Sequence, residues 1–569
     1  MPRARKTPLN VVLCWHMHQP QYRDPLDLGY HLPWTYLHAI KDYTDMAAHL
    51  EAVPQARAVV NFTPVLLEQL EDYALQIQRF ETEAEPLRDP LLAALVAEPP
   101  PQDPAVRAGL MRQCLRANER RLIQRDPPYQ RLAEMARWAL KSPQAAVYLS
   151  ERFFTDLVTW YHLAWLGESV RREDHRVRRL LEQGGDFGMP ERRMLLHLMG
   201  ELIGAVVPRF RALAESGRVE LSVTPYAHPI LPLLIDFASA REAWPEVKLP
   251  SVAAYPGGRE RARWHIDEGL AVFERFFGFR PQGCWPSEGS LSEEALALLR
   301  EAGFHWTATG EGVLRNTLGQ AGRNPGDGSC IHRAWRPEAG GPVCFFRDDG
   351  LSDLIGFTYA EWHADDAVGD LINHLAGIAK ACSGRSAVVS LILDGENAWE
   401  YYPENGFHFL RGLYTRLVED SRFHLTTFSD LIEAEIKPEP LPRLVAGSWV
   451  YGTFSTWIGD PDKNRGWEML VEAKETYDRI SAEGHLDAPT LGSATRQLAV
   501  CEGSDWFWWF GDYNAPESVA EFERLYRRQL EGLYRILRVT PPPYLFRVFA
   551  RGHGTPDMGG TMRRGKEHP

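Results

Sequence analysis

No window of this sequence approaches the roughly 20 consecutive apolar residues of a membrane span. Its formal charge of −13 leaves no broad basic surface for nucleic acid. Cysteine is scarce and scattered: seven residues, at 14, 114, 284, 330, 344, 382 and 501, with no C-x-x-C pair. An odd number at such spacings supports neither a disulfide framework nor a zinc knuckle. No G-x-G-x-x-G or Walker loop follows the first apolar run, which weakens dinucleotide and nucleotide readings. The basic start, Met1 to Pro8, leads into Val11–Trp15, too short a run for a signal-peptide core. The simplest expectation is a cytoplasmic, reducing location, with no membrane and no nucleic-acid partner.

What the chain does contain is a series of short apolar runs that stop abruptly at polar residues. They are Leu9–Trp15, Ala58–Phe62, Val219–Val223, Gly283–Trp285, Phe304–Ala308, Val343–Phe346 and Ala387–Leu393, with a later one at Phe423–Phe428. Continuous rather than alternating apolarity predicts strands buried on both faces, as in a parallel sheet covered by helices. Helical spacing separates many of them: Ile266, Leu270, Phe273 and Phe277 precede the run at 283, and Ser290-x-x-Glu293 reads as a capping box after it. Seven or eight such units predict an α/β fold of the TIM-like barrel type in preference to an open sheet. Between about 66 and 211 the strand signal gives way to helical patterns such as Phe153, Leu157, Tyr161 and Trp165, a helical insertion. The Pro-rich stretch Lys437–Pro442 is the expected boundary. That divides the chain into a catalytic barrel, 1–436, a C-terminal helical bundle, 437–558, completing the cleft, and a tail, 559–569.

Two carboxylates stand out. Glu288 lies between Trp285 and Gly289, and Asp394 ends the run Val388–Leu393, where an uncompensated charge is costly unless it faces a site. Either alone reads most simply as a helix cap or a salt-bridge partner. Both at strand ends, both beside tryptophan, point to glycosidic chemistry: one carboxylate attacks the anomeric carbon while the other protonates the leaving oxygen. His16-Met17-His18-Gln19-Pro20 follows the first strand and His228 another, placed to hydrogen-bond sugar hydroxyls or to bind a metal. Aromatic density around Trp449–Asp462 and Asp505–Asp512 fits either sugar stacking or a packed core.

Taken in order, five segments resemble the family 57 glycoside hydrolases: His16–Pro20, Glu220–Pro229, Gly283–Gly289, Leu393–Trp399 and Trp457–Glu468. The resemblance implies an incomplete (β/α)7 barrel with a C-terminal α-helical bundle, acting on α-glucans with retention and with neither cofactor nor required metal. It implies Glu288 as nucleophile and Asp394 as general acid/base. It implies His16, His18, His228, Trp285, Glu396, Trp399, Trp457 and Asp460 as substrate-binding, and Trp508 joins them from the aromatic cluster. Its motifs look like the α-amylase and amylopullulanase branch, with starch, glycogen or a maltooligosaccharide as substrate, through α-1,4 and as a second candidate α-1,6 links. Two alternatives stay open: a 4-α-glucanotransferase or branching-type transglycosylase on the same fold, and a metal-dependent α-mannosidase-like or deacetylase-like hydrolase using His16, His18 and an Asp. A non-catalytic glucan-binding protein is a third, disfavoured by the presence of both carboxylates.

Overall fold

In the computed structural model the described residues are 8–141, 143–324, 330–383 and 385–554; the basic start before Pro8 and the expected tail at 559–569 lie outside them. The strands are β1 (Leu9–Met17), β2 (Ala58–Phe62), β3 (Val219–Val223), β4 (Gly283–Cys284), β5 (Trp306–Gly310), β6 (Trp335–Pro337), β7 (Val343–Arg347), β8 (Val388–Asp394), β9 (Phe423–Leu425) and β10 (Glu439–Leu441). Seven of them form a parallel barrel in the order β7, β5, β4, β3, β2, β1, β8, and β8 returns to β7 through Arg347 beside Ser390. Every residue of β2, β5 and β7 is buried, as both-faced runs require. This is the predicted (β/α)7 architecture with a helical C-terminal region.

The longest pairing, β1 with β8, runs from Asn10 beside Val388 to His16 beside Asp394. On its other side β1 sets His16 beside Asn61 of β2. Because all seven strands run the same way, these residues come out at one mouth of the barrel, the C-terminal face on which such barrels carry their sites. Gly283 has a packing reason: a Cβ there would lie 1.8 Å from the indole of Trp306 on β5.

Between β2 and β3 the insertion is helical from Pro64 to Glu215. Its helices Pro90–Leu95 and Pro104–Gln113 start with proline after Asp89 and Asp103, whose carboxylates accept from the first free backbone N–H groups. After the barrel come helices Pro461–Glu483, Ala488–Cys501, Ser504–Trp509 and Pro516–Ile536. Among the described residues no helix is long and apolar enough to cross a membrane. All seven cysteines are buried, and none is joined in a disulfide among the described residues.

Three local expectations need correction. The helix after Glu288 is Glu293–Glu301, capped by Ser292 through Ala295 N, not by Ser290, whose hydroxyl is buried above the turn. The stretch 437–442 is not simply broken chain, because β10 within it pairs with β6; Pro440 is tolerated at an edge that needs few donors. And β4 stops at Cys284, so Trp285 belongs to the turn rather than to the strand.

Candidate active site

At the C-terminal mouth lies a cavity of about 470 Å³, an ordinary size for a small-molecule cleft. Glu288 and Asp394 both line it, with His16, His18, His228, Glu396 and Trp508. β4 and β8 are separated by β5 and β7 one way round the barrel and by β3, β2 and β1 the other. The two carboxylates therefore enter from opposite sides of the mouth.

Glu288 sits in a tight turn, with left-handed backbone at Glu288 (φ 56°) and Gly289 (φ 58°). For a non-glycine residue that conformation costs on the order of 1–3 kcal/mol, and it aims the side chain into the cavity instead of along the strand. Gly289 is needed because a Cβ would lie 2.9 Å from the Trp285 ring. The carboxylate accepts from Trp449 Nε1 at 3.0 Å and, at 3.5 Å, from Ser504 Oγ, while His228 Nδ1 stands 3.9 Å away. Burial, with Asp394 and Asp505 nearby, pushes the Glu288 carboxyl well above the usual range.

Asp394 ends β8 and accepts from Asn397 Nδ2 at 2.7 Å. Burial raises it too, while Asn397, His18 and Arg347 pull the other way. Arg347, at the end of β7, donates to Ile392 O, Asp349 and Asp353, each at 2.8 Å. Its guanidinium lies 5.3 Å from the Trp449 ring centre. Both carboxyls thus favour protonation. Positive charge developing beside Glu288 would drive that group to ionise and leave the proton on Asp394.

Three imidazoles form the floor. His16 Nδ1 meets Asn61 Oδ1 at 2.7 Å, its Nε2 meets His228 Nε2 at 3.2 Å, and His228 Nδ1 meets Ser504 Oγ at 2.7 Å. Burial lowers His16 to about 3 and His228 well below its ordinary value, so both are neutral donors or acceptors near pH 7. His18 bridges Thr63 Oγ1 at 3.0 Å and Asp505 at 2.9 Å. Glu396 Oε1 accepts from His18 N, Gln19 Nε2 and Tyr43 Oη, while its buried Oε2 has no partner.

His18, His228 and Asp505 bring ligand atoms within 4.8 Å of one another, a set dense enough to consider for a metal; His16 is not part of it. The His18 and His228 rings, however, stack at 3.8 Å and 20°. Their in-plane lone pairs run side by side instead of converging, a poor match to tetrahedral or octahedral coordination. The geometry suits a hydrogen-bonding floor better than a metal centre.

Four of the expected substrate-binding residues do not reach the cavity. Trp285 is fully buried behind it, edge-on to Trp449 at 5.3 Å. Trp399 donates to Gly395 O and packs on Trp15. Trp457 accepts at its carbonyl from Trp467 and packs on Trp508, and Asp460 caps the helix Pro461–Glu483. They hold the lining in place. The aromatic run at 506–510 splits: Trp506, Phe507 and Phe510 are bundle core, while Trp508 and Trp509 face the cavity. Gln19, Arg347, Phe357, Tyr401, Trp449, Ser504 and Asp505 were not among the expected site residues. Arg347 and Asp505 did carry a signal, as charges at the end of an apolar run and the head of an aromatic one.

Comparison with known proteins agrees with this fold. The sequence model of glycosyl hydrolase family 57 matches residues 12–445. A family 57 branching enzyme from Thermococcus kodakaraensis superposes with a TM-score of 0.59 at 14% identity, covering 98% of this chain and 100% of that one. An α-amylase from Thermotoga maritima gives 0.53 at 14% identity over 94% and 96%. A 4-α-glucanotransferase from Thermococcus litoralis gives 0.52 at 14% identity over 94% and 60%. At such identity the likeness speaks for the fold, and the family match spans most of the chain. Barrel, paired carboxylates and sequence match together make the chain a member of glycosyl hydrolase family 57.

Proposed function

We propose that this protein is a retaining α-glucan enzyme in which Glu288 attacks C1 and Asp394 protonates the leaving oxygen. Family membership supports a glycosidase or glycosyl-transferring enzyme acting on glucans. The finer reading is an α-amylase or amylopullulanase-type enzyme on α-1,4 links, with α-1,6 links as a second candidate. The observation that carries it is the entry of two buried carboxyls, both raised by burial, into one cavity from opposite sides. In the first step the C1–oxygen bond breaks as Glu288 forms an ester, and the Asp394 proton moves to the departing hydroxyl. In the second, Asp394 takes a proton from water or from a sugar hydroxyl as that oxygen attacks C1, freeing Glu288. Neutral His16 and His228, Glu396 and His18 supply fixed hydrogen-bonding groups around the donor sugar. Seven buried cysteines, none in a disulfide, support a reducing compartment.

The test is Glu288→Gln and Asp394→Asn on an aryl α-maltooligoside with added azide. Azide should rescue Glu288→Gln with a β-configured glycosyl azide and Asp394→Asn with an α-configured one. Near-native rates in either variant, or the opposite stereochemistry, would overturn the assignment.

A further inference from the structure

Two short segments of the cavity wall carry lining residues with no task in the chemistry above. One follows β7, residues Leu354–Glu361, and the other follows β8 as far as Tyr401. They contribute Phe357, Ala360, Ala398 and Tyr401 to the lining. Most large rings of this chain are buried, yet Phe357 is 57% exposed at the cavity's edge, and Trp362, beside the lining residue Glu361, is 43% exposed. A single exposed ring needs no explanation; two along one rim of a catalytic cleft point to a ligand.

The rim is also held rigid from outside. Arg121, from the helical insertion, donates to Tyr401 O at 2.7 Å and to Ala360 O at 3.0 Å, joining the two segments. Arg120 pairs with Glu361 at 2.8 Å, and Tyr402 Oη donates to Ile355 O at 2.6 Å. Three contacts from the insertion, and one between the two segments themselves, tie together a surface that otherwise faces solvent, as expected of a preorganised binding surface.

Direction follows from the displacement itself. In a retaining reaction the nucleophile and the leaving group lie on opposite faces of C1, so the departing saccharide lies on the Asp394 side. The Phe357 rim is on that side: it follows β7, which pairs with β8, and a Cβ on Gly356 would lie 3.7 Å from Leu393, the neighbour of Asp394. We infer that this rim is an acceptor subsite for an α-glucan, with Phe357 as the ring on which a glucosyl residue stacks, so that the glycosyl-enzyme is resolved onto a sugar hydroxyl in preference to water. The inference rests on the two-carboxylate reading. In the step it favours, the acceptor oxygen forms the new bond to C1, its proton passes to the Asp394 carboxylate, and the Glu288–C1 ester bond breaks to return the Glu288 carboxylate. The net reaction exchanges one glycosidic bond for another with no further reactant.

The experiment uses the full chain with a para-nitrophenyl α-maltooligoside as donor and maltose as acceptor. The kcat/KM of nitrophenol release reports the first step, and chromatography of the products gives the ratio of transfer to hydrolysis. In Phe357→Ala the ratio should fall by about tenfold, the loss of one ring-stacking contact, with nitrophenol release falling much less. Trp362→Ala should lower it by a smaller factor. Trp138→Ala, another exposed ring (63%) but on the insertion, should leave it unchanged. Nitrophenol release with the native ratio in Phe357→Ala would overturn the acceptor site alone. Absence of any turnover in the native protein would overturn the two-carboxylate reading and the acceptor site with it.

Discussion

The wall that holds Glu288 and the wall that holds Asp394 draw their parts from different distances along the chain. Around Glu288 stand Trp449, Ser504 and His228, with Asp505 near enough to raise its pKa, all far away in sequence and two of them from the C-terminal helices. Asp394 is held by Asn397, three residues on, and by the register that sets it beside His16. The hydrogen bonds of Glu288 are thus a product of tertiary assembly, while the side-chain hydrogen bond of Asp394 is local, even though His18 and Arg347 act on it from elsewhere in the chain. Damage to the bundle should therefore reach Glu288 first.

The sharpest way to break this comparison is to vary the leaving group. Glu288→Gln should lower kcat by at least about 10³-fold on both starch and an aryl maltooligoside, because every leaving group needs the nucleophile. Asp394→Asn should lose about 10²–10³-fold in kcat/KM on starch but less than about tenfold in kcat/KM on the aryl substrate, whose leaving group needs no proton; kcat there should fall further, because the second step still needs Asp394 as base. Equal losses on both substrates would show that the two walls do not divide the work this way.

Trp449→Phe keeps the ring and removes the N–H that Glu288 accepts. Loss of a hydrogen bond to a charged group should lower kcat/KM by about tenfold to a hundredfold. That bond favours the ionised form, so its removal should also move the acidic limb of the kcat/KM profile to higher pH. Asn397→Ala should move the profile through Asp394 instead.

A third pair separates lining from backing. Trp399→Ala removes a fully buried ring and should destabilise the protein by about 3–5 kcal/mol in chemical denaturation. Trp508→Ala, at the cavity, should raise KM for maltooligosaccharides by about tenfold at a smaller cost in stability. A large KM effect in a still-folded Trp399→Ala would return that residue to the substrate-binding set.

The smallest effect is on stability against pH. Burial lifts the folded-state pKa of Glu288 above its value in the unfolded chain. Its favourable contribution is therefore present at acid pH and is lost as pH rises toward and through the folded value. Glu288→Gln, which cannot ionise, should unfold at a higher temperature than the native protein at pH 7 to 8. That difference should vanish below about pH 4, where both forms are neutral. A variant less stable than the native protein at pH 8 would contradict the buried, proton-favouring environment.

Much of the barrel was legible because a strand buried on both faces must be apolar throughout, whatever its neighbours are. That constraint located β2 and β3 to the residue, and β7 and β8 to within one. β6 and β10 were missed: three residues each, β6 with its middle residue exposed and β10 at the sheet edge within a proline-rich stretch, they carry too little apolarity to register. The cap at Ser292 was misassigned to Ser290 because both serines precede the same acidic turn, and only the hydrogen bond to Ala295 N distinguishes them. For the site, spacing alone could not say whether a tryptophan beside a carboxylate faces substrate or faces its own core. Trp285 and Trp399 flank the two carboxylates in sequence and lie behind them in space.

Residue types and local order were sufficient to specify the run of buried strands, the helical insertion and the two carboxylates at strand ends, since burial pattern and the unfavourable energy of a charge in an apolar run act over a few residues. Which groups surround those carboxylates depended on folding: parallel register placed His16 beside Asp394, and docking of the C-terminal helices brought Ser504 and Asp505 to Glu288. Electric field and hydrogen bonding fall off over a few ångströms of space, not of sequence, so only the closed barrel with its helices could decide where a proton resides and which rings a sugar can touch.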